Sequence, residues 1–122
     1  AYSPAAFLNA LVERTGCHLL LDIYNLECDV HNHDLDLDAF LDELNLNAVW
    51  ELHLANGVEH RGLQLDVHSK PTRQSTLDIA RDVARHAPAL RAVTYELLSQ
   101  AVPVVGYDAI ADELRRIREE VL

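Results

Sequence analysis

The chain has 122 residues, which is enough for one compact domain and too few for two. Hydrophobic residues make up 49% and charged residues 25%, so the composition is that of a globular protein and not of a disordered one. A net charge of -10 argues against nucleic acid and anionic membranes as partners, because phosphate binding needs clustered cations. No apolar run approaches the ~20 residues that span a bilayer.

Helices and short apolar strands are predicted to alternate along the whole chain. The first helix is expected to have Ser3 as its N-cap and Gly16 just beyond its end. A polar loop is expected after the first strand. The predicted helices cover residues 3–14, 38–44, 75–86 and 107–122, and the predicted strands cover residues 18–23, 48–54, 63–68 and 91–97.

This alternation is typical of βα units around a mostly parallel sheet, with helices covering one face. A complete (β/α)8 barrel needs about 250 residues, roughly twice the length of this chain. We therefore predict an α/β fold: residues 1–122 form a single partial TIM-like barrel domain, with parallel strands alternating with helices. The chain has no Met and begins at Ala1, so we expect a fragment of a longer protein or a half barrel that pairs with a second copy.

Cys17 and Cys28 flank the first predicted strand. At about 3.3 Å per residue, that strand holds them too far apart for a disulfide. We expect both thiols to be reduced, as is usual in the cytoplasm. Cys28 is not favoured as a nucleophile, because no neighbouring cation is present to lower the pKa of its thiol.

Polar side chains share one face of the predicted strands and gather towards their carboxyl ends. Because alternate residues of a strand point to opposite faces, the large apolar side chains occupy the other face. A solvated sheet face would give a similar alternation, but such a face usually mixes in Lys and Arg, and none occurs here. The carboxylates and imidazoles on this face are Asp22, Glu51, His53, Asp66, His68 and Glu96.

Carboxylates and imidazoles gathered without a basic counter-charge are costly unless a cation offsets their repulsion. Carboxylate and imidazole ligands without thiolate suit Mn, Fe or Zn, and two His with one carboxylate suit non-haem iron. Barrel active sites lie at the carboxyl ends of the strands, where these groups are expected. The pattern therefore indicates a metal site on the polar face of the sheet.

Several ordered blocks of the sequence resemble one family. The chain is similar over nearly its whole length to the C-terminal half of the multinuclear non-haem iron-dependent oxidative enzymes, a former domain of unknown function that includes the methanobactin-biosynthesis oxidase subunit. The blocks that carry the resemblance are LLDIYN at 20–25, NH at 32–33, ELHLA at 51–55, DVH at 66–68 and YE at 95–96.

The resemblance implies a TIM-like barrel that holds two or three iron ions and uses dioxygen. It implies a ribosomally made precursor peptide as substrate, modified at cysteine or another residue, and a small partner protein that presents the peptide. An isolated half of the barrel is expected to be inactive. By motif, the implied metal ligands are Asp22, His53, Asp66, His68 and Glu96, and further candidates, as ligands or as their neighbours, are Asn25, His33 and Glu51.

Two other functions remain open from the residues alone. One is a sugar isomerase or phosphodiesterase-like barrel enzyme with a divalent metal such as Mn, and the other is a metal-free half barrel that only packs with a partner. Three further residues are given structural roles: His31 is expected to be exposed, His18 to begin its strand away from the site, and Trp50 to lie in the core on the helix side.

Overall fold

Six helices and five strands follow one another along the chain, and the computed structural model describes residues 1–122. A 3₁₀ turn at Leu46–Ala48 precedes the second strand. None of the helices has the length and apolar composition that a bilayer crossing requires. In chain order, the elements are α1 Pro4–Thr15, β1 Leu19–Asp22, α2 Ile23–His33, α3 Leu37–Glu43, β2 Val49–Leu54, β3 Val58–His60, β4 Leu63–Leu65, α4 Gln74–His86, β5 Ala92–Tyr95, α5 Val102–Val105 and α6 Tyr107–Val121.

Three strands form a parallel sheet in the order β1-β2-β5. Asp22 pairs with His53, and His53 pairs with Thr94, so the carboxyl ends of the three strands are in register. Helices connect the strands, as in part of a β/α barrel. The predicted α/β class, with parallel strands alternating with helices, is confirmed.

One face of the sheet carries the hydrophobic core. Leu21 of β1 and the fully buried Leu52 and Leu54 of β2 pack there with Leu77 of α4 and Ile117 of α6. Their alternation with polar residues leaves the opposite face to carboxylates and imidazoles. The apolar face is therefore covered by helices, and the polar face remains open.

The prediction of a polar loop after the first strand is wrong, because residues 23–33 form α2. Asp22 ends β1 and also caps this helix, since its carboxylate accepts a hydrogen bond from the backbone N–H of Asn25 at 2.9 Å. Ile23 and Tyr24 are buried in the first turn. The two acidic residues within this helix, the buried Glu27 and the partly buried Asp29, do not prevent it from forming.

The prediction of a third strand at 63–68 in the parallel sheet is also wrong. Residues 58–60 and 63–65 form a separate antiparallel hairpin, turned at Arg61 and Gly62 with φ of 51° and 80°. The chain passes very close to this hairpin at Gly57, where an added Cβ would lie 1.8 Å from the carbonyl oxygen of Leu65. Asp66 and His68 therefore come from an irregular segment after the hairpin.

Trp50 is not in the core as expected. The β1–β2 register shifts between Leu19 and Leu20, so that Val49 is fully buried while Trp50 is only partly buried. The His18 ring stacks on the Trp50 indole with 3.4 Å between the ring centroids. The Arg91 guanidinium lies over the same indole, 3.8 Å from its ring centroid. A single register shift thus moves this side chain out of the core.

Candidate metal centre

The carboxyl ends of the parallel strands bring three of the predicted ligands together. Asp22 ends β1, His53 lies in β2, and Glu96 follows β5. The backbone N–H of Glu96 donates to the Leu54 carbonyl at 2.8 Å, which continues the strand pairing as far as Glu96. The sheet therefore fixes the spacing of these side chains.

The segment after the hairpin supplies Asp66 and His68. His68 has a left-handed backbone with φ of 48°, uncommon for a residue other than Gly, and its carbonyl accepts from the Leu98 N–H at 2.8 Å. This bond ties the segment to the chain beyond β5. It turns the His68 ring back towards the ends of the strands.

Three side chains converge on one point. Ligand atoms of Asp22, His68 and Glu96 all lie within 4.8 Å of one another, and all three residues are partly buried. Two carboxylates and an imidazole at this separation form a possible site for a divalent cation. They come from three different parts of the chain.

Asp66 is a further carboxylate beside these three residues, and its environment suits a metal ligand. Its Oδ1 atom is buried without a hydrogen-bond partner, although it lies 3.0 Å from Nε2 of His68. Two ligands at right angles on a cation, each about 2.1 Å from it, would be about 3 Å apart. The unpartnered Asp66 oxygen and the His68 nitrogen beside it are therefore compatible with two ligands of one cation.

One nitrogen of the His53 ring contacts Glu51, and the other faces the candidate ligand Glu96. Its Nε2 lies 2.9 Å from Oε1 of Glu51, and the same oxygen accepts from the Thr94 hydroxyl at 2.7 Å. Hydrogen bonds from Thr94 and then from His53 lower the pKa of Glu51, which keeps it an ionised acceptor. Nδ1 of His53 is then left facing Glu96 Oε1 at 3.1 Å.

The electrostatics of the group favour a bound cation. Burial raises the pKa of Asp22, and the nearby Asp66 and Glu96 raise it further, against the hydrogen bond from the Asn25 N–H. The ion pairs that Glu51, Asp66 and Glu96 form are to His53 and His68, and none is to Lys or Arg. The site thus gathers carboxylates whose ion-pair partners are imidazoles alone.

Of the remaining candidates, Asn25 and Glu51 lie beside the three converging side chains, and His33 lies away from them. Asn25 is exposed in the first turn of α2, beside Asp22. Glu51 contacts His53 and is not among the three converging residues. His33 is exposed in the last turn of α2, about 16 Å along the helix from Asp22 at ~1.5 Å per residue, so it is not brought to the group.

Sequence reasoning missed two residues that organise the site. Thr94 lies on the polar face of β5 and binds Glu51, and its position in the alternation was the available signal. Asn32 holds the hairpin from α2 through two hydrogen bonds to the main chain of Gln64, at 2.8 and 2.9 Å. Asn32 belongs to the NH block at 32–33 that carries the resemblance, but no signal in the sequence pointed to its partner, which lies 32 residues away.

Comparison with known proteins now identifies the family. The model of the family described as RiPP precursor modification enzyme MbnB/TglH/ChrH matches residues 1–121. The chain belongs to this family. RiPPs are ribosomally synthesised and post-translationally modified peptides, so the family modifies peptide precursors, in agreement with the resemblance found in the sequence.

Relatives of the chain are UPF0276 proteins of bacteria. The Paraburkholderia phytofirmans protein is 32% identical over 98% of the chain and 41% of its own length. The Streptomyces avermitilis protein is 44% identical over 64% of the chain and 16% of its own length, and the Bordetella pertussis protein is 40% identical over 62% and 28%. The chain therefore spans less than half the length of these relatives.

Proposed function

We propose that the chain provides part of the metal centre of an iron-dependent enzyme that uses dioxygen to modify cysteine, or another residue, in a ribosomally made peptide. The convergence of Asp22, His68 and Glu96 within 4.8 Å carries this proposal. Membership of a peptide-modifying family favours peptide over sugar as the substrate. A mixed carboxylate and imidazole set suits iron, with Mn and Zn as the other metals it accepts.

Each side chain has a separate task in this proposal. Asp22, Asp66, His68 and Glu96 would hold iron, and Glu51 orients His53 so that its Nδ1 faces the same centre. Bound iron would supply the one-electron chemistry that dioxygen requires. Glu96 lies between the two histidines, with Oε1 3.1 Å from His53 Nδ1 and Oε2 3.7 Å from His68 Nε2, so both imidazoles and this carboxylate would be available to hold iron.

Anaerobic titration with Fe(II), followed by iron analysis of the desalted protein, tests the centre. We expect at least one iron per chain, and a loss of about tenfold or more in affinity for Glu96→Gln and His68→Gln. Glu59→Gln and His60→Gln, in the exposed strand β3, are matched controls that should retain iron. Less than one iron per chain in the unsubstituted protein would contradict the proposal.

The reaction is tested on a family member of full length, such as the Paraburkholderia phytofirmans protein. Oxygen uptake should require Fe(II) and a peptide that contains cysteine, and the same peptide with serine should give none. Isomerisation of a sugar with Mn, in place of oxygen uptake, would instead favour the second enzyme class. The two assays use the same preparation, so they compare the two functions directly.

A further inference from the structure

A groove of about 490 Å³ lies between α2, the start of α3, the hairpin and α4. It is separate from the metal centre, although Gln64 is only two residues before Asp66. Its size is within the range of small-ligand sites. We call it the α2–α4 groove; the lining residues used below are Glu27, Val30, Leu37, Gln64, Arg73 and Ile79.

The groove is built from elements that flank the central strand. The helices α2 and α4 lie in the connections on either side of β2, in the middle of the β1-β2-β5 sheet. Further strands would add to the sheet beyond β1 or β5, since these are its edges. Strands added at those edges would extend the sheet away from β2, whose flanking connections carry the two helices.

The charges within the groove balance. The Arg73 guanidinium lies 3.6 Å from the buried Glu27 carboxylate, which also accepts hydrogen bonds from the hydroxyls of Ser75 and Thr76. The two hydroxyls thus bind Glu27, and Arg73 is the N-cap residue of α4. The groove has no net charge, which does not favour an ion as its ligand.

A donor and an acceptor in the groove lack partners. The Arg73 side chain is 37% exposed, and its ion pair with Glu27 leaves guanidinium N–H groups free to donate. Gln64 uses its main-chain N–H and carbonyl on Asn32, whereas its Oε1 atom is buried without a partner. A ligand that both donates to Gln64 and accepts from Arg73 would satisfy these groups.

Three of the other lining residues form an apolar wall, and the fourth is the exposed His31, whose Nε2 lies 2.9 Å from the Gly62 carbonyl oxygen. Val30 is 38% exposed on α2, and the partly buried Leu37 and Ile79 lie against the hydrophobic core beside it. A peptide unit has one N–H donor and one carbonyl acceptor and no charge, and a branched apolar side chain would cover this wall. The balanced charge, the free donor and acceptor, and the apolar wall of the groove together match a peptide segment better than an ion or a purely apolar ligand.

We propose that the α2–α4 groove binds a neutral peptide segment with a branched apolar side chain, through Gln64, Arg73 and Val30. The assignment of that segment to the precursor peptide, at a distance from the residue that reacts, rests on the proposed function. Binding itself does not depend on the metal. Because the hairpin carries Gln64 and leads into Asp66, occupancy of the groove also supports the segment that reaches the metal centre.

The test is a titration of the isotopically labelled 122-residue chain with N-acetyl-leucinamide, followed by amide NMR shifts in the presence of EDTA. We expect saturable shifts centred on Val30, Gln64 and Arg73. N-acetyl-glycinamide, which lacks the side chain, should bind at least about tenfold more weakly. The EDTA removes iron, so a failure here does not reflect a failure of the metal centre.

Two substitutions locate the binding. Gln64→Leu removes the free acceptor and should weaken binding about fivefold, and Val30→Glu should abolish it. Val104→Glu is the matched control, since Val104 is 84% exposed on α5 and lies outside the groove. Amide spectra of each variant confirm that it is folded.

Three results would overturn the proposal. One is a pattern of shifts centred elsewhere, such as on the apolar surface at Val67 and Leu98. Another is equal affinity for the leucine and glycine compounds, or for Gln64→Leu and the unsubstituted chain. The third is a concentration-dependent shift of the groove residues without any ligand, which would show that a second copy of the chain occupies the groove.

Discussion

Buried carboxylates join separate parts of the chain at single points. Glu113 of α6 is 5% exposed and accepts from the Thr72 backbone N–H at 2.8 Å, while Arg116 donates to the Thr72 carbonyl at 3.0 Å. Glu27 ties α2 to α4 in a similar way. Because each carboxylate has partners, its burial is compensated, and loss of one partner leaves an acceptor unsatisfied.

The two cysteines should differ in reactivity. Cys28 is 6% exposed, and burial followed by the negative charge of Asp66 raises the pKa of its thiol, whereas Cys17 is more exposed. With a thiol reagent at pH 8, we expect one fast thiol and one at least about tenfold slower. Cys28→Ser should remove only the slow phase. Two equal rates in the folded chain would contradict this prediction.

Alkaline pH should destabilise the fold through Tyr95. Burial and the charge of Glu113 raise the pKa of Tyr95 to about 12, against 10.0 for a free tyrosine. Between these values the unfolded chain has lost the proton that the folded chain retains, so stability present below pH 10 falls as the pH rises towards 12. Urea unfolding at several pH values should show a smaller alkaline loss for Tyr95→Phe. An unchanged alkaline slope in that variant would argue against this role.

At the scale of elements, the hairpin positions two candidate ligands, Asp66 and His68, which follow it in the chain. It packs against α2 and does not join the parallel sheet. Asn32 binds both main-chain groups of Gln64, as a neighbouring strand would. The position of Asp66 and His68 therefore depends on a side chain of α2.

Asn32→Ala should loosen the hairpin. Two side-chain hydrogen bonds are lost, and we expect a loss of about 1–3 kcal/mol in the free energy of unfolding. Hydrogen exchange should accelerate in residues 57–68 more than in the parallel sheet, and Fe(II) should bind more weakly. Asn47→Ala, at an exposed position, is the control. Uniform acceleration across the whole chain would indicate general destabilisation instead.

At the scale of the molecule, the parallel sheet has two open edges and one uncovered face. Leu20 lies on that face and is 51% exposed, next to the candidate metal ligands. Open edges and exposed apolar side chains favour association with further strands. This agrees with a chain that spans less than half the length of its relatives.

The isolated chain is expected to self-associate through this face. Light scattering should show a dimer in the micromolar range, as two half barrels would form. Leu20→Lys should shift the equilibrium towards the monomer by about tenfold, because a charge replaces an apolar contact. Leu114→Lys, at a residue 52% exposed on α6, is the matched control. A stable monomer at all concentrations would contradict the pairing.

Much of the site is readable from the sequence because strand alternation is local. Asp22 and His53 lie on the polar face of adjacent parallel strands, and Glu96 follows the third strand, as the alternation predicts. Trp50 shows the limit of this reasoning. One register shift between β1 and β2 reverses its face, and a shift of this kind depends on the partner strand.

The sequence by itself determined the α/β alternation, the polar face and the family. These follow from the identities of neighbouring residues and from ordered motifs. Only the tertiary structure decided that residues 63–65 pair with residues 58–60, that residues 23–33 form a helix, and that the two combine to place His68 beside Asp22. The hairpin and the helix are local structures, but their placement depends on contacts between residues more than 30 positions apart, such as Asn32 with Gln64, which no local pattern records.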